Sequence, residues 1–292
     1  MNIVVHRGTH QIGGSAIEIS TASTCIMLDF GNELSLDEKY TPINLDIDGV
    51  TKGKPDCDGI VISHYHMDHL GQLTSTIPDV PLYMGELSKE IALIGAEYQD
   101  KDLYLRLLGA NTFRGGEAFS IGDIRIRPLV IDHSAIDSYM FVVEAGGKRI
   151  LYTGDFRMHG LRHHVLDKLV NTYIGEVDVL ITEGTSLSRD ADDCISEAAV
   201  LDDISSYIQD GKYVFVMCSS TNIDRIMGIW QNMPTDKVLI CDAYQKRILD
   251  TVINNVYYES SLYRRHDSPL VIDKGMYPKY YMEHGFVSLV RG

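Results

Sequence analysis

The sequence is short of several things, and each shortage excludes a class of protein. No run of 18 consecutive apolar residues occurs in its 292, so no transmembrane helix and no membrane partner is expected. Met1 to Arg7 enter a strand-like run directly, without the charged start, apolar middle and small-residue cleavage site of a secretory signal. Proline is scarce, and neither a low-complexity tract nor an internal repeat is present, which excludes a disordered or solenoid chain. Cysteine is scarce as well. The five (Cys25, Cys57, Cys194, Cys218, Cys241) are odd in number and widely spaced, with no Cys-x-x-Cys. They read as reduced cytoplasmic thiols, mostly buried as small hydrophobes. Positive charge is also lacking: 26 basic against 41 acidic residues leave a net charge of -15. That weighs against a non-specific nucleic-acid binder, which shows a basic face. It does not weigh against a nuclease whose positive charge is brought by metal ions.

What is present is ordinary globular material, 45% hydrophobic. At this length folding buries roughly 75% of the unfolded chain's surface, enough for one large domain or two smaller ones. Residues 3–6, 15–19 and 25–29 read as strands joined by hairpin-length loops. Gly59-Ile60-Val61-Ile62-Ser63 reads as a buried strand, 70–77 as a short helix, 81–84 as a strand and 86–109 as helical. Further strands are expected at 124–131, 139–144, 149–153 and 177–182, the second and third as a hairpin around Ala145-Gly146-Gly147-Lys148. Beyond the polar run Ser188 to Asp193 the rhythm becomes helix 196–209, strand 213–217, helix 222–232, strand 238–240, helix 244–254. That alternation indicates a parallel α/β unit. The expected domains are therefore 1–187 and 188–292, with the Tyr-rich stretch from Tyr257 onward unassigned.

The segment Ser63-His64-Tyr65-His66-Met67-Asp68-His69-Leu70-Gly71 places three histidines and one aspartate within six residues, directly after a core strand. An extended His-x-His points both imidazoles to one side, because side chains alternate with period two. Turning into a helix brings Asp68 and His69 round to the same point. Such a donor set suits borderline-soft, nitrogen-preferring ions such as Zn²⁺. His133 and Asp155 each end a later strand and supply complementary ligands. His64, His66 and His133 would hold one ion, Asp68 and His69 the other, with Asp155 bridging. The expectation is a dinuclear site, two Zn²⁺ per chain. Two such ions bring +4 against -2 from Asp68 and Asp155, so the site would be positive within an acidic protein.

His-x-His-x-Asp-His, a later single histidine and Thr153-Gly154-Asp155 at a strand end resemble the metallo-β-lactamase fold. Asp29, ending Met27-Leu28-Asp29-Phe30-Gly31, matches that superfamily's first aspartate, a group behind the ligands that orients them. The stretch Gly8 to Ile19, with Gly13-Gly14, is similar to the first hairpin of the β-CASP nucleases, ribonuclease J most of all. His133-Ser134-Ala135-Ile136-Asp137-Ser138 is similar to that family's His-Ser-x-x-Asp-Ser. Thr182-Glu183-Gly184-Thr185-Ser186 stands where the family's acidic motif follows a strand. Cys218-Ser219-Ser220-Thr221-Asn222-Ile223-Asp224-Arg225-Ile226 is similar to its Ser-Ser-Asn-x-x-Arg-Ile stretch. The resemblance implies an αββα sandwich lacking its C-terminal part, followed by part of a Rossmann-like parallel β-CASP domain. It implies a zinc-dependent ribonuclease, a 5′ exonuclease, an endonuclease or both, that hydrolyses single-stranded RNA with a metal-activated hydroxide.

In that reading Asp68 orients or deprotonates the attacking water and Glu183 handles the proton at the leaving oxygen. Ser219, Ser220, Thr221 and Asn222, at a helix start, meet the RNA phosphates. The pattern is also departed from. The family's hydrolase domain resumes after the insert with two further histidine motifs, and neither Arg264-Arg265-His266-Asp267 nor Met282-Glu283-His284-Gly285 resembles them. The expectations that follow are a fragmentary chain or a smaller natural variant, a weaker second metal, and an exposed sheet edge that opens a route to homo-oligomers. The competing readings are a hydrolase of a small ester, thioester or lactam, and a catalytically silent binding protein.

Overall fold

A computed structural model describes residues 1–34, 43–187, 194–255, 269–271 and 279–291. The chain divides into two compact units. The first holds Met1–His133, Asp137–Met158 and Arg162–Arg189; the second holds Ser134–Ile136, His159–Leu161 and Asp190–Gly292.

The first unit contains two sheets. One has six strands in sequence order: β1 (Asn2–Arg7), β2 (Ala16–Ser20), β3 (Cys25–Leu28), β4 (Gly59–Val61), β5 (Leu82–Gly85) and β6 (Asn111–Phe113). It is antiparallel from β1 to β3 and parallel from β3 to β6. The other runs in the order β11-β10-β9-β8-β7, from β7 (Phe119–Ile121), β8 (Ile124–Val130), β9 (Tyr139–Ala145), β10 (Lys148–Tyr152) and β11 (Val179–Ile181).

Period-two alternation on β9 shows how the layers form. Tyr139, Phe141, Val143 and Ala145 enter a core shared with Ile17, Ile19, Ile26 and Leu28 of the first sheet. Met140 and Val142 point the other way, onto Leu169 and Ile174. A strand buried on both faces needs apolar residues at every position, and this one has them except at Glu144. Helix α1 (Met67–Leu70) follows β4. Helices α2 (Glu86–Gln99) and α3 (Lys101–Leu108) follow β5, and α4 (Val165–Leu169) follows β10.

Two expectations differ in detail. The helical stretch 86–109 is two helices, because Asp100 leaves the helix at φ -151° and caps α3 by accepting from the amides of Asp102 and Leu103. The helix expected over 70–77 begins earlier, at Met67, and continues only as a short 3₁₀ turn at Leu73–Ser75.

The second unit has a four-stranded parallel sheet in the order β12-β15-β13-β14. It comprises β12 (Tyr213–Met217), β13 (Val238–Cys241), β14 (Leu270–Val271) and β15 (Phe286–Val290), with helices α5 (Glu197–Asp210), α6 (Ile223–Asn232), α7 (Ala243–Asn254) and α8 (Lys279–His284). The apolar face of α6 is buried through Ile223, Ile226, Met227, Ile229 and Trp230. Helix α7 opens with a capping box between Asp242 and Gln245. The unassigned tail thus holds a central strand: β15 lies between β12 and β13 in parallel register. Of the tail tyrosines, Tyr257, Tyr258, Tyr263 and Tyr277 lie outside the described residues, as does His266. No helix among the described residues is long and apolar enough to cross a membrane.

Candidate metal centre

The six candidate ligands come together in the first unit, carried by three strand exits. Strand β4 runs out through Ile62 and Ser63 into His64 and His66, and α1 supplies Asp68 and His69. The segment after β8 supplies His133, and the segment after β10 supplies Asp155. The loop bearing α1 is held by the chain leaving β3. Phe30 donates its amide to the His69 carbonyl at 2.7 Å and Asn32 donates to the Met67 carbonyl at 2.9 Å. Between them Gly31 passes so close that a Cβ there would sit 1.6 Å from the Asp68 carbonyl oxygen. Only glycine permits that approach.

The donor atoms form two adjoining groups. His64 Nε2 lies 3.1 Å from His66 Nδ1, which lies 3.2 Å from His133 Nε2. A tetrahedral ion bound at about 2.0–2.1 Å separates its ligand nitrogens by about 3.3 Å, so the spacing fits one metal. In the second group His69 Nε2 lies 3.3 Å from Asp155 Oδ1 and 3.6 Å from Asp68 Oδ2. The other Asp155 oxygen, Oδ2, is 3.9 Å from His133 Nε2. The Asp155 carboxylate therefore stands between the groups with one oxygen toward each. Among the described residues, donor atoms lying within 4.8 Å of one another gather as His64, His66, His133 and as His64, His69, Asp155.

The electrostatics keep three of the four histidines available as neutral donors. Burial holds His64, His66 and His133 in the neutral form, His66 down to about 4 and His133 to about 3, leaving their lone pairs available. Burial also opposes charging of His69, but the carboxylates of Asp29 and Asp155 beside it override that and raise it well above the usual imidazole range. Burial pushes Asp68 up, partly offset by His69. Asp155 is held below the usual carboxylate range, because its hydrogen bond and charge interaction with His69 outweigh its own burial. Three neutral imidazoles, a fourth imidazole and two carboxylates are the donors that a divalent ion of the zinc type takes.

Asp29 lies behind His69, fully buried in the left-handed region at φ 57°. Its carboxylate accepts from the Ser63 amide at 2.6 Å, the Ser63 hydroxyl at 2.7 Å, His69 Nδ1 at 2.8 Å and the Tyr152 hydroxyl at 2.5 Å. With Nδ1 so engaged, His69 turns Nε2 toward Asp68 and Asp155.

Sequence reasoning missed the rest of this support. The Ser63 hydroxyl also reaches His64 Nδ1 at 3.0 Å. Asp132, only 1% exposed, accepts from Arg157 Nε at 2.8 Å and from the Arg162 amide at 2.6 Å, and so holds the chain that follows Asp155. Asp137, at φ 62°, accepts from the Ser88 amide at the start of α2 and from the Tyr139 hydroxyl. The signal available in the sequence for Asp132 is an aspartate directly preceding a candidate ligand histidine, in Ile131-Asp132-His133.

Glu183 accepts a hydrogen bond from the Phe156 amide at 2.9 Å, and burial raises its carboxyl, assisted by the neighbouring charge of Asp155. Ser219, Ser220, Thr221 and Asn222 lie in the second unit, between β12 and α6. The hydroxyls of Ser219 and Thr221 pair at 2.9 Å, and Asn222 caps α6 without a side-chain bond. Ser220 Oγ and Asn222 Oδ1 are buried with no hydrogen-bond partner among the described residues.

Two sheets packed face to face, with histidines and aspartates gathered from the strand exits of both, define the metallo-β-lactamase fold. The chain belongs to the beta-lactamase superfamily: the family model described as "Beta-lactamase superfamily domain" matches residues 45–202. Among curated proteins it is similar to "Ribonuclease J" of Helicobacter pylori, 25% identical over 236 residues, covering 75% of this chain and 33% of that one. It is similar to the "RNase J-like protein" of Methanocaldococcus jannaschii, 28% identical over 223 residues, covering 72% and 49%. The likeness to ribonuclease J and its β-CASP relatives expected from the motifs is borne out. The chain spans about a third of the length of the ribonuclease J it matches. Among solved structures, a crystal structure of a protein of unknown function from Enterococcus faecalis shares the fold. It has a TM-score of 0.78 at 18% identity and covers 99% of this chain and 76% of that one.

Proposed function

We propose that this chain is a zinc-dependent ribonuclease of the ribonuclease J type, acting on single-stranded RNA from its 5′ end, internally, or both. The observation that carries the reading is the pair of adjoining donor groups, His64-His66-His133 and His64-His69-Asp155, with Asp68 3.6 Å from His69, in a chain whose relatives are named ribonucleases. Two Zn²⁺, when bound, supply Lewis acidity toward a phosphoryl oxygen and an acidified water.

The chain's own residues do the rest. His64, His66 and His133 would hold one ion, Asp68 and His69 the other, with Asp155 serving as a ligand beside both groups, and Asp29 fixes the His69 ring. The Asp68 carboxylate, on the rim of the second group, orients the attacking water and takes its proton. Glu183, held beside Asp155 by the Phe156 amide and raised by burial, carries a proton toward the leaving oxygen. Ser220 and Asn222, with unpartnered buried oxygens at the start of α6, and Ser219 and Thr221 beside them, are the proposed contacts to RNA phosphates.

In this reading 1–187 is the hydrolase domain and 188–292 a partial β-CASP-like domain. The protein is cytoplasmic, consistent with its five free thiols. Strand β11, an edge strand with Leu180 exposed, is where copies would pair as a homo-oligomer.

The test is metal analysis of the purified chain together with cleavage of 5′-monophosphorylated single-stranded RNA, with His66→Ala as control. Zinc near two per chain and cleavage abolished by the substitution are expected. Zinc without RNA cleavage would overturn the ribonuclease reading in favour of a small ester, thioester or lactam substrate or a silent binding protein. Absence of bound metal after zinc loading would overturn the centre itself.

A further inference from the structure

Asp29 holds the loop that bears α1 from behind His69, and a second support reaches the same loop from the end of β1. Arg7, the last residue of β1, is half-buried, and its guanidinium donates to main-chain carbonyls in three separate segments. Nε donates to Gly14 at 3.2 Å, one Nη to Gly31 at 2.8 Å and the other Nη to Ile43 at 2.6 Å. A planar guanidinium aims its N–H groups in fixed directions, so bonds made together fix the segments relative to one another. Glycine at position 14 makes room for this, since a Cβ there would lie 3.0 Å from Arg7 Nε.

Two of the three segments bear on Asp68. The Gly14 amide donates to the Asp68 carbonyl at 3.1 Å, and Gly31 is the residue packed against that same carbonyl oxygen. At Gly13 a Cβ would sit 2.7 Å from Asp68 Cβ, so the turn also walls the base of the Asp68 side chain. The third segment ties the belt to the chain just after α1. The Ile43 carbonyl accepts from Gln72 Nε2 at 2.8 Å as well as from Arg7, and the Gln72 amide donates to the Phe30 carbonyl at 3.0 Å. Gln72 is buried. His64 and His133, by contrast, come from the exits of β4 and β8.

We propose that Arg7 is a positioning residue for the second ion. By holding Gly14 and Gly31 against the Asp68 main chain, its guanidinium sets where the Asp68 carboxylate stands. The inference rests on the assignment of Asp68 and His69 to that ion. His69 is already oriented by Asp29, which leaves Asp68 as the ligand whose placement depends on the Arg7 clamp.

The experiment compares the parent chain with Arg7→Met and Arg7→Lys, each at full length. Methionine keeps an apolar stem and removes the fork, while lysine keeps the charge as a single point donor. Zinc titration against a competing chelator should resolve two affinities. In Arg7→Met the weaker, that of the Asp68-His69 group, falls by about 10- to 100-fold while the tighter stays within about twofold. Arg7→Lys falls between parent and Arg7→Met, and it carries the comparison should Arg7→Met fail to fold. Hydrogen exchange of the metal-free proteins should show peptides covering 64–72 losing protection by about tenfold while those covering β9 and β10 keep theirs. Equal weakening of both ions, with exchange raised throughout the first unit, would make Arg7 a general structural support and overturn the proposal. So would affinities equal to those of the parent, or full rescue by Arg7→Lys. A parent chain that takes up only one zinc overturns the dinuclear reading and, with it, the role toward the second ion. Unchanged exchange at 64–72 overturns the clamp itself, whether or not the chain cleaves RNA.

Discussion

Replacing Asp29 by asparagine separates orientation of the metal centre from its bare composition. Asparagine keeps the volume and tolerates the left-handed conformation at φ 57°, so the backbone contributes little to the effect. What changes is the hydrogen bonding. The carboxylate accepts four donors in a site with no solvent exposure. In the better orientation of Asp29→Asn, the amide carbonyl retains the position facing Ser63 Oγ, His69 Nδ1 and Tyr152. The new NH₂ then points at the Ser63 amide, donor against donor. Two buried donors left without acceptors cost about 1–3 kcal/mol each, and the three remaining bonds lose their charge assistance.

A destabilisation of about 3–5 kcal/mol follows, together with a loss of about 10- to 100-fold in metal affinity as His69 is freed to turn. Hydrogen exchange read by mass spectrometry localises the first effect: peptides covering β3, β4 and β10 should lose protection. Zinc titration against a competing chelator measures the second. Unchanged protection in those peptides with metal affinity altered less than about twofold would refute the idea that Asp29 holds His69 in place.

Four other outcomes are expected. Arg157→Ala removes the partner of Asp132, whose side chain is 1% exposed against 9% for Arg157, and the buried charge left behind should cost about 3–5 kcal/mol; a thermal midpoint like that of the parent would contradict this. Gly31→Ala drives a methyl group into the Asp68 carbonyl and should abolish soluble folded protein. Gly53→Ala, at φ 78° with no atom within 4 Å, should fold and lose only about 1 kcal/mol to backbone strain. Finally, His66 and His133 are held at about 4 and about 3 by burial, against about 6.5 when unfolded. Below about pH 6.5 the unfolded chain therefore binds more protons, so stability rises with pH across that window and is lost as pH falls toward 4. His69, raised instead, contributes in the opposite sense, present at low pH and lost as pH rises through its folded value. Melting temperature against pH in the presence of chelator should fall below about pH 6; a flat curve between pH 4 and 7 would contradict the buried, neutral assignment.

The legibility of this chain follows from how far apart in sequence its partners lie. The donors at 64–69 are readable because one short segment carries four of them. Their geometry needs only strand alternation and one helical turn. His133 and Asp155 were readable as strand-end residues because the strands leading to them have strong apolar patterns. The groups that hold those ligands still have no such local signature. Asp29 reaches Ser63 across 34 positions and Tyr152 across 123. Nothing in Tyr152, the last residue of an apolar strand, announces that its hydroxyl turns to a buried carboxylate. Asp29 itself emerged only through family resemblance, since an aspartate ending a strand is otherwise a common turn residue.

The same distance dependence explains β15. Phe286 to Val290 is an apolar, β-branched run of ordinary strand character, yet its place between β12 and β13 is set by parallel pairing with segments at 213–217 and 238–240. Parallel partners need a crossover connection and leave no turn signal at the pairing itself. Where the chain contributes both partners within a turn, as at Asp100 in α3 or Asp242 and Gln245 in α7, the capping chemistry is written locally. Where they come from different strands, only the folded register shows the pairing. A centre whose ligands are local and whose supports are remote should therefore lose its order before it loses its donors. That is the pattern in which Asp29→Asn and Arg157→Ala, neither of them removing a ligand, impair the site through the supports alone.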